Sequence, residues 1–184
     1  MVRKFFLEKF RCDRDNDGDD SDSPYFLFFF GVPEVFGHPI IHFLGDVVPV
    51  YLENLDDTVA SDGTWTRVHE RTPHFNVEEN MHVLVALLER DDGIDLTDEE
   101  FDRLRTHMTK KYSHFGNEDG LRGDALIKRL RKEFRRAINA NTNNDDLIGI
   151  KHLPIPVSGQ PAHLTFVDDP DDGSYTVAFL LEPA

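Results

Sequence analysis

The sequence predicts a mainly β fold, an antiparallel β-sandwich carrying a two-helix insertion and so α+β overall. Three observations carry this. Short runs rich in Phe, Val and Leu, bounded by Gly, Pro and Asp, fill the first half of the chain and return near its end. Between them one block changes from strand to helical spacing. Strand and helix do not alternate regularly, as they would in a parallel sheet. At 184 residues with 39% hydrophobic content the chain can bury a sizeable core in one domain. That domain is taken as residues 1–184: the first part of the sandwich at 1–94, the helical insertion at 95–144 and the last part of the sandwich at 145–184.

Residues 2–12 carry bulky aromatics and no helix start signal, and 25–30 (Tyr-Phe-Leu-Phe-Phe-Phe) form an unbroken apolar run ended by Gly31. Such a run suits a strand buried on both faces. Residues 47–52 and 64–70 read as further strands, joined through a Ser-Asp-Gly turn at 61–63. Pro49 cannot donate to a ladder and places the former at a sheet edge. The run 82–88 is ambiguous by periodicity, since Asn76 and the acids after it could start a helix; it is read as a strand. Thr97 and Glu100 then form a capping-box pair, with Phe101, Leu104, Met108 and Tyr112 at helical spacing. A second helix begins near Asp124, with Leu126, Ile127, Leu130, Phe134 and Ile138 on one face, and ends in the polar run 139–144. Strand character returns at 147–153, 162–167 and 174–181, where Tyr175, Val177, Phe179 and Leu181 share one side.

The formal net charge is −15, from 20 basic and 35 acidic residues, and it opposes general binding to nucleic acid or anionic lipid. Cys12 is the single cysteine, so no intrachain disulfide forms. Charges interrupt the apolar residues of positions 1–10, which therefore do not read as a secretory signal. No run approaches the ~20 apolar residues of a transmembrane segment. A cytoplasmic location is the default expectation, with export by a specialised system left open.

Charge density marks the candidate site. Asp13, Asp15, Asp17, Asp19, Asp20 and Asp22 fall within ten residues, and they repel one another unless water, a basic partner or a hard cation screens them. Oxygen donors without sulfur favour calcium, with magnesium as the alternative. Positions 13–18 copy the first half of an EF-hand loop. The twelfth position, where a bidentate glutamate closes the shell, is Pro24, and strands flank the segment in place of helices.

Three separated segments together resemble the C2 domain family. Positions 17–25 (Asp-Gly-Asp-Asp-Ser-Asp-Ser-Pro-Tyr) resemble the C2 loop that reads Asp, Gly, Ser-Asp-Pro-Tyr, with Ser23 inserted. Positions 84–91 resemble the C2 strand that ends in Asp-x-Asp, with Glu89 and Asp91 in those places, and 145–149 (Asp-Asp-Leu-Ile-Gly) resemble the segment that follows. In that family two loops at one end of an eight-stranded sandwich bridge calcium ions through aspartates. The resemblance implies a C2-like, non-enzymatic, calcium-binding module, with Asp17, Asp22, Glu89, Asp91 and Asp146 as ligands and Asp145 as their neighbour. It further implies coupling of calcium to stability or to recruitment of a membrane or protein partner. About fifty residues separate Asp91 from Asp145 where the family has a few, so the helices interrupt the calcium loop.

Two other readings stay open: a metal-independent structural or protein-interaction module of a larger assembly, and a divalent-metal-dependent hydrolase. No nucleophile elbow or phosphate loop supports catalysis, and neither His69 nor His74 has a context that makes it a base. His38 and His42 have zinc-like spacing, but Pro39 and the lack of a helical frame count against a site. The second helix carries Lys128, Arg129, Arg131, Lys132, Arg135 and Arg136 against Glu133 alone, a patch suited to an anionic lipid surface or an acidic protein partner. The simpler expectation is that this helix docks by its apolar face and its charge answers the acidic loops.

Overall fold

A strand with no polar alternation is stable only where both of its faces are covered, and the chain meets that demand with three layers. In the computed structural model, residues 3–15, 23–36, 40–51, 65–68, 74–77, 80–90, 96–142, 146–155, 162–167 and 173–183 are described. Their elements run β1 (Arg3–Asp15), β2 (Ser23–Phe36), β3 (Ile40–Tyr51), β4 (Thr66–Arg67), β5 (Phe75–Val77), β6 (His82–Arg90), α1 (Asp98–Asn117), α2 (Gly123–Asn141), β7 (Asp146–Leu153), β8 (Ala162–Val167) and β9 (Gly173–Pro183). One sheet has the order β4-β1-β9-β8, with β5 also paired to β1; the other has the order β3-β2-β6-β7. Every pairing in both is antiparallel.

Period-two alternation divides β2 and β6 between two cores. Phe26, Phe28 and Phe30, with Val83, Val85 and Leu87, face the first sheet and meet Phe5, Phe10, Val177 and Phe179. Phe28 is edge-on to both Phe5 and Phe179, at 5.8 and 6.0 Å between centroids. Tyr25, Leu27 and Phe29, with Leu84, Ala86 and Leu88, face the helices and meet Leu104, Met108, Tyr112, Leu130 and Phe134. The helices therefore cover the outer face of the second sheet. This is why the runs at 25–30 and 84–88 carry no polar residue beyond the Tyr25 hydroxyl.

The helices keep the termini read from sequence. Thr97 Oγ1 accepts from the Glu100 N–H while the Thr97 N–H donates to the Glu100 carboxylate, which completes the capping box. A short connection with Gly120 at φ 66° turns the chain back into α2, whose Leu126, Ile127, Leu130, Phe134 and Ile138 are all buried. Glu133 is buried as well. It accepts from Arg136 Nη1 at 2.8 Å and lies 3.7 Å from His107 Nε2 of α1, so the one acid of the basic stretch is turned inward.

A pit in the second sheet sets where α1 docks. Gly31 of β2 and Gly45 of β3 are cross-strand partners, and the Tyr112 ring lies over them. A Cβ at Gly31 would stand 2.7 Å from Tyr112 Cζ, too close for any ordinary contact. Thr109 Oγ1 donates to the Gly45 carbonyl at 2.8 Å beside it. The Tyr112 hydroxyl is within 2.9 Å of His82 Nδ1, and burial raises the pKa of this phenol well above its ordinary value.

Several expectations change in detail. β3 starts at Ile40, ahead of the expected 47, and is an edge strand as Pro49 implied. The strand expected over 64–70 is reduced, among the described residues, to Thr66–Arg67. Asn76, where a helix start competed, lies in β5 against Lys4, because its register with β1 carries Val77 into the core. Tyr175, Val177 and Phe179 share the inner face as expected, whereas the Leu181 side chain lies outside the described residues.

Two outcomes test this packing. Gly31→Ala is expected to lower unfolding free energy by about 1–3 kcal/mol in urea titration, through overpacking against Tyr112. The second concerns pH. Burial lowers the pKa of His82, with His152 adding to the effect, and burial also lowers that of His152, with Asp124 opposing and Arg131 assisting. The folded state thus prefers both rings neutral, so their contribution is complete above the unfolded value of about 6.5 and is lost as pH falls below it. Unfolding free energy should be flat from pH 8 to 7 and decline toward pH 5.5. Joint replacement by glutamine should remove that decline, and a decline that persists unchanged would assign it to other groups.

Candidate metal centre

Strand register brings the strand ends that flank the sequence-predicted segments to one end of the sandwich. Glu89, near the end of β6, pairs with Pro24 of β2 on one side and with Asp146 of β7 on the other. These are the outermost rungs but one of the β2–β6 ladder and the last of the β6–β7 ladder. The segment after Asp15, the segment before Ser23, the segment after Arg90 and the segment before Asp146 all leave the sheets here. Only register could establish this, since Pro24 and Asp146 are more than a hundred residues apart in the chain.

Glu89 is the expected ligand whose side chain is described, and its position follows from alternation. Leu87 faces the first sheet and Leu88 the helices, so Glu89 again points toward the first sheet at the margin of the inner core. There the Tyr175 hydroxyl donates to Glu89 Oε1. Tyr175 stacks on Phe10 at 5.4 Å and is fixed by that packing. One buried phenol thus ties β9 of one sheet to β6 of the other and orients a carboxylate at the mouth of the sandwich.

Asp17, Asp22, Asp91 and Asp145 lie outside the described residues, and Asp146 is described by its backbone alone. Among the described residues no three His, Cys, Asp or Glu side chains come together as a metal site. The structure thus brings together the backbone of Pro24, Glu89 and Asp146. The chemistry of the surrounding donors suits a hard cation: carboxylates and hydroxyls with no thiol or imidazole in these segments.

Topology also draws attention to the residues between β8 and β9. Asp15 of β1 pairs with Gly173 of β9, and Val167 of β8 with Ser174, so β8 ends and β9 begins beside the end of β1; the intervening residues 168–172 lie outside the described residues. They read Asp-Asp-Pro-Asp-Asp. Their density of carboxylates exceeds that of 13–22 and was the available signal, but only the β1–β9 register brings the flanking strand ends together. The zinc-like pair is not supported by its context: His42 falls in β3 opposite Glu34, and His38 is outside the described residues.

The six basic positions of α2 separate into three groups. Arg136 pairs with Glu133, Arg129 lies over the Phe115 ring at 5.3 Å, and Lys128, Arg131, Lys132 and Arg135 line a cleft together with Ile150 of β7.

The described architecture defines a two-sheet antiparallel β-sandwich with a two-helix insertion on one outer face. No protein-family model matches the chain, and no curated protein matches it. Among solved structures it is similar to a C2 domain, domain A, of plant Extended Synaptotagmin 1, at 9% identity and a TM-score of 0.39, covering 100% of this chain and 95% of that one. Among the described residues no helix is long and apolar enough to cross a membrane.

The Tyr175–Glu89 link is testable apart from any ligand. Tyr175→Phe should lower unfolding free energy by about 1.5–3 kcal/mol, the range for a hydrogen bond to a charged group. In a Glu89→Gln background the same change should cost less, and a double-mutant cycle in urea measures the difference. Equal costs in both backgrounds would mean that the two side chains do not interact energetically.

Proposed function

We propose that this chain is a non-enzymatic, C2-like module that binds calcium at the acidic end of its sandwich. The observation that carries the reading is the pairing of Glu89 with both Pro24 and Asp146, which supports a common location for donors from separate parts of the chain. Asp17 and Asp22 would join from the segment ahead of β2, Asp91 from the segment after β6, Asp145 from the segment ahead of β7 and Asp146 from the first residue of β7. Carboxylates so close in an electronegative chain repel one another, and a divalent cation removes that repulsion. Calcium tolerates the irregular, many-oxygen shell that such segments supply, whereas magnesium demands a stricter octahedron. Bound calcium would stabilise the fold and present positive charge at this end to a membrane or protein partner. The sequence offers no nucleophile or base in a defined context, which favours binding over hydrolysis.

Calcium should raise the melting temperature selectively over magnesium, and chelator should reverse the shift. At a free concentration one hundred times Kd the stabilisation expected by mass action is about 2.7 kcal/mol. Asp17→Asn with Asp22→Asn should abolish the shift while leaving the melting curve in chelator unchanged or raised. A melting temperature indifferent to calcium, with no heat of binding in calorimetry, would overturn the proposal.

A further inference from the structure

An acid occupies a slot of the inner core where alternation calls for an apolar residue. Val83, Val85 and Leu87 fill the preceding inward positions of β6, and the next is the half-buried Glu89. A carboxylate there gives up water on one side, and the Tyr175 hydroxyl of the opposite sheet donates to its Oε1. The phenol is itself buried and stacked on Phe10. Aromatic packing therefore fixes the donor, and the donor in turn fixes the acid.

Irregularities in both ladders lie beside this pair. The β1–β9 register slips between Cys12 and Arg14, directly beyond the rung that joins Cys12 to Tyr175. The β6–β7 register slips between Leu87 and Leu88, just ahead of the rung that joins Glu89 to Asp146. Such bulges bend a strand and re-aim its side chains, and they gather beside functional sites. Here they flank the one phenol and the one carboxylate that meet across the mouth of the sandwich.

We propose that Tyr175 positions Glu89 as a calcium ligand, so that occupancy of the site and the join between β9 and β6 strengthen one another. This rests on the calcium reading above and adds to it a residue that shapes the site without touching the ion. A carboxylate offers about four lone-pair sites, so one phenol donor at Oε1 leaves capacity for a metal. Glutamate loses much rotamer freedom when it is fixed, and a donor already held by packing removes part of that cost before the ion arrives. Outer-shell partners of this kind change metal affinity by about 10–100-fold when they are removed. Linkage makes the effect reciprocal: whatever the phenol contributes to calcium binding, calcium contributes to the phenol bond.

The test is calorimetric titration of calcium into the wild-type protein, Tyr175→Phe, Glu89→Gln and the double variant. Tyr175→Phe keeps the ring and its stacking, and it should weaken binding by about tenfold or more. In the Glu89→Gln background the same change should cost distinctly less, because the carboxylate it positions is gone. Phe179→Leu, a core change on the same strand that leaves the pair intact, should leave the affinity unchanged. Melting curves supply a second readout. A purely structural Tyr175 would give equal stability losses in chelator and in saturating calcium, whereas a positioning role makes the loss larger in calcium. Wild-type protein that binds no calcium would overturn the calcium reading and this inference with it. Wild-type binding with Tyr175→Phe at equal or higher affinity, or with equal losses in chelator and calcium, would overturn this inference alone.

Discussion

The second sheet must be dry on both faces, and the rest of the molecule is arranged around that requirement. Its central strands β2 and β6 carry aromatic and aliphatic side chains in both directions. Neither sandwich partner nor helix pair alone could cover them. The first sheet takes Phe26, Phe28 and Phe30, the helices take Tyr25, Leu27 and Phe29, and each leaves the other's face untouched. Burial of a Phe or Leu side chain contributes on the order of 1.5–3 kcal/mol, so loss of either cover would expose several such contributions together. The helical block is accordingly a structural layer.

That constraint also explains the polar features. With both faces of the sheet filled, polar chemistry is pushed to its ends and edges. At one end Glu89 meets the Tyr175 hydroxyl where the inner core stops. At the other His82 and the Tyr112 hydroxyl close the outer core. Along the β7 edge, α2 turns a cationic stripe outward because its apolar residues and Glu133 are turned inward.

Much of the fold was legible because its signals are local. The unbroken runs at 25–30 and 84–88 announced strands buried on two sides, and Thr97 with Glu100 marked the helix start. For the site, the order of the acidic segments suggested a common location; the register of Glu89 with Pro24 and Asp146 brings the flanking strands together, and the acidic segments themselves lie outside the described residues. What escaped depended on partners distant in sequence. Gly31 and Gly45 carry no signal as residues, and only Tyr112 above them gives them meaning. β5 has three residues and exists through β1. That the strand ends flanking 168–172 and 16–22 lie together shows only in the β1–β9 ladder.

The insertion between β6 and β7 also bears on chain entropy. Glu89 and Asp146 are neighbours in the sheet, yet the intervening chain holds both helices. Closing a flexible loop of that length costs about 2 kcal/mol more than closing a hairpin of a few residues, since each doubling adds about 0.6 kcal/mol. Here two helices occupy most of the connection. α1 and α2 form an antiparallel pair through contacts near in sequence, and that pair returns the chain to the strand end from which it left. Most of the connecting length is thereby ordered by interactions of its own, and the closure left to the sheet is that of the two short segments flanking the helices.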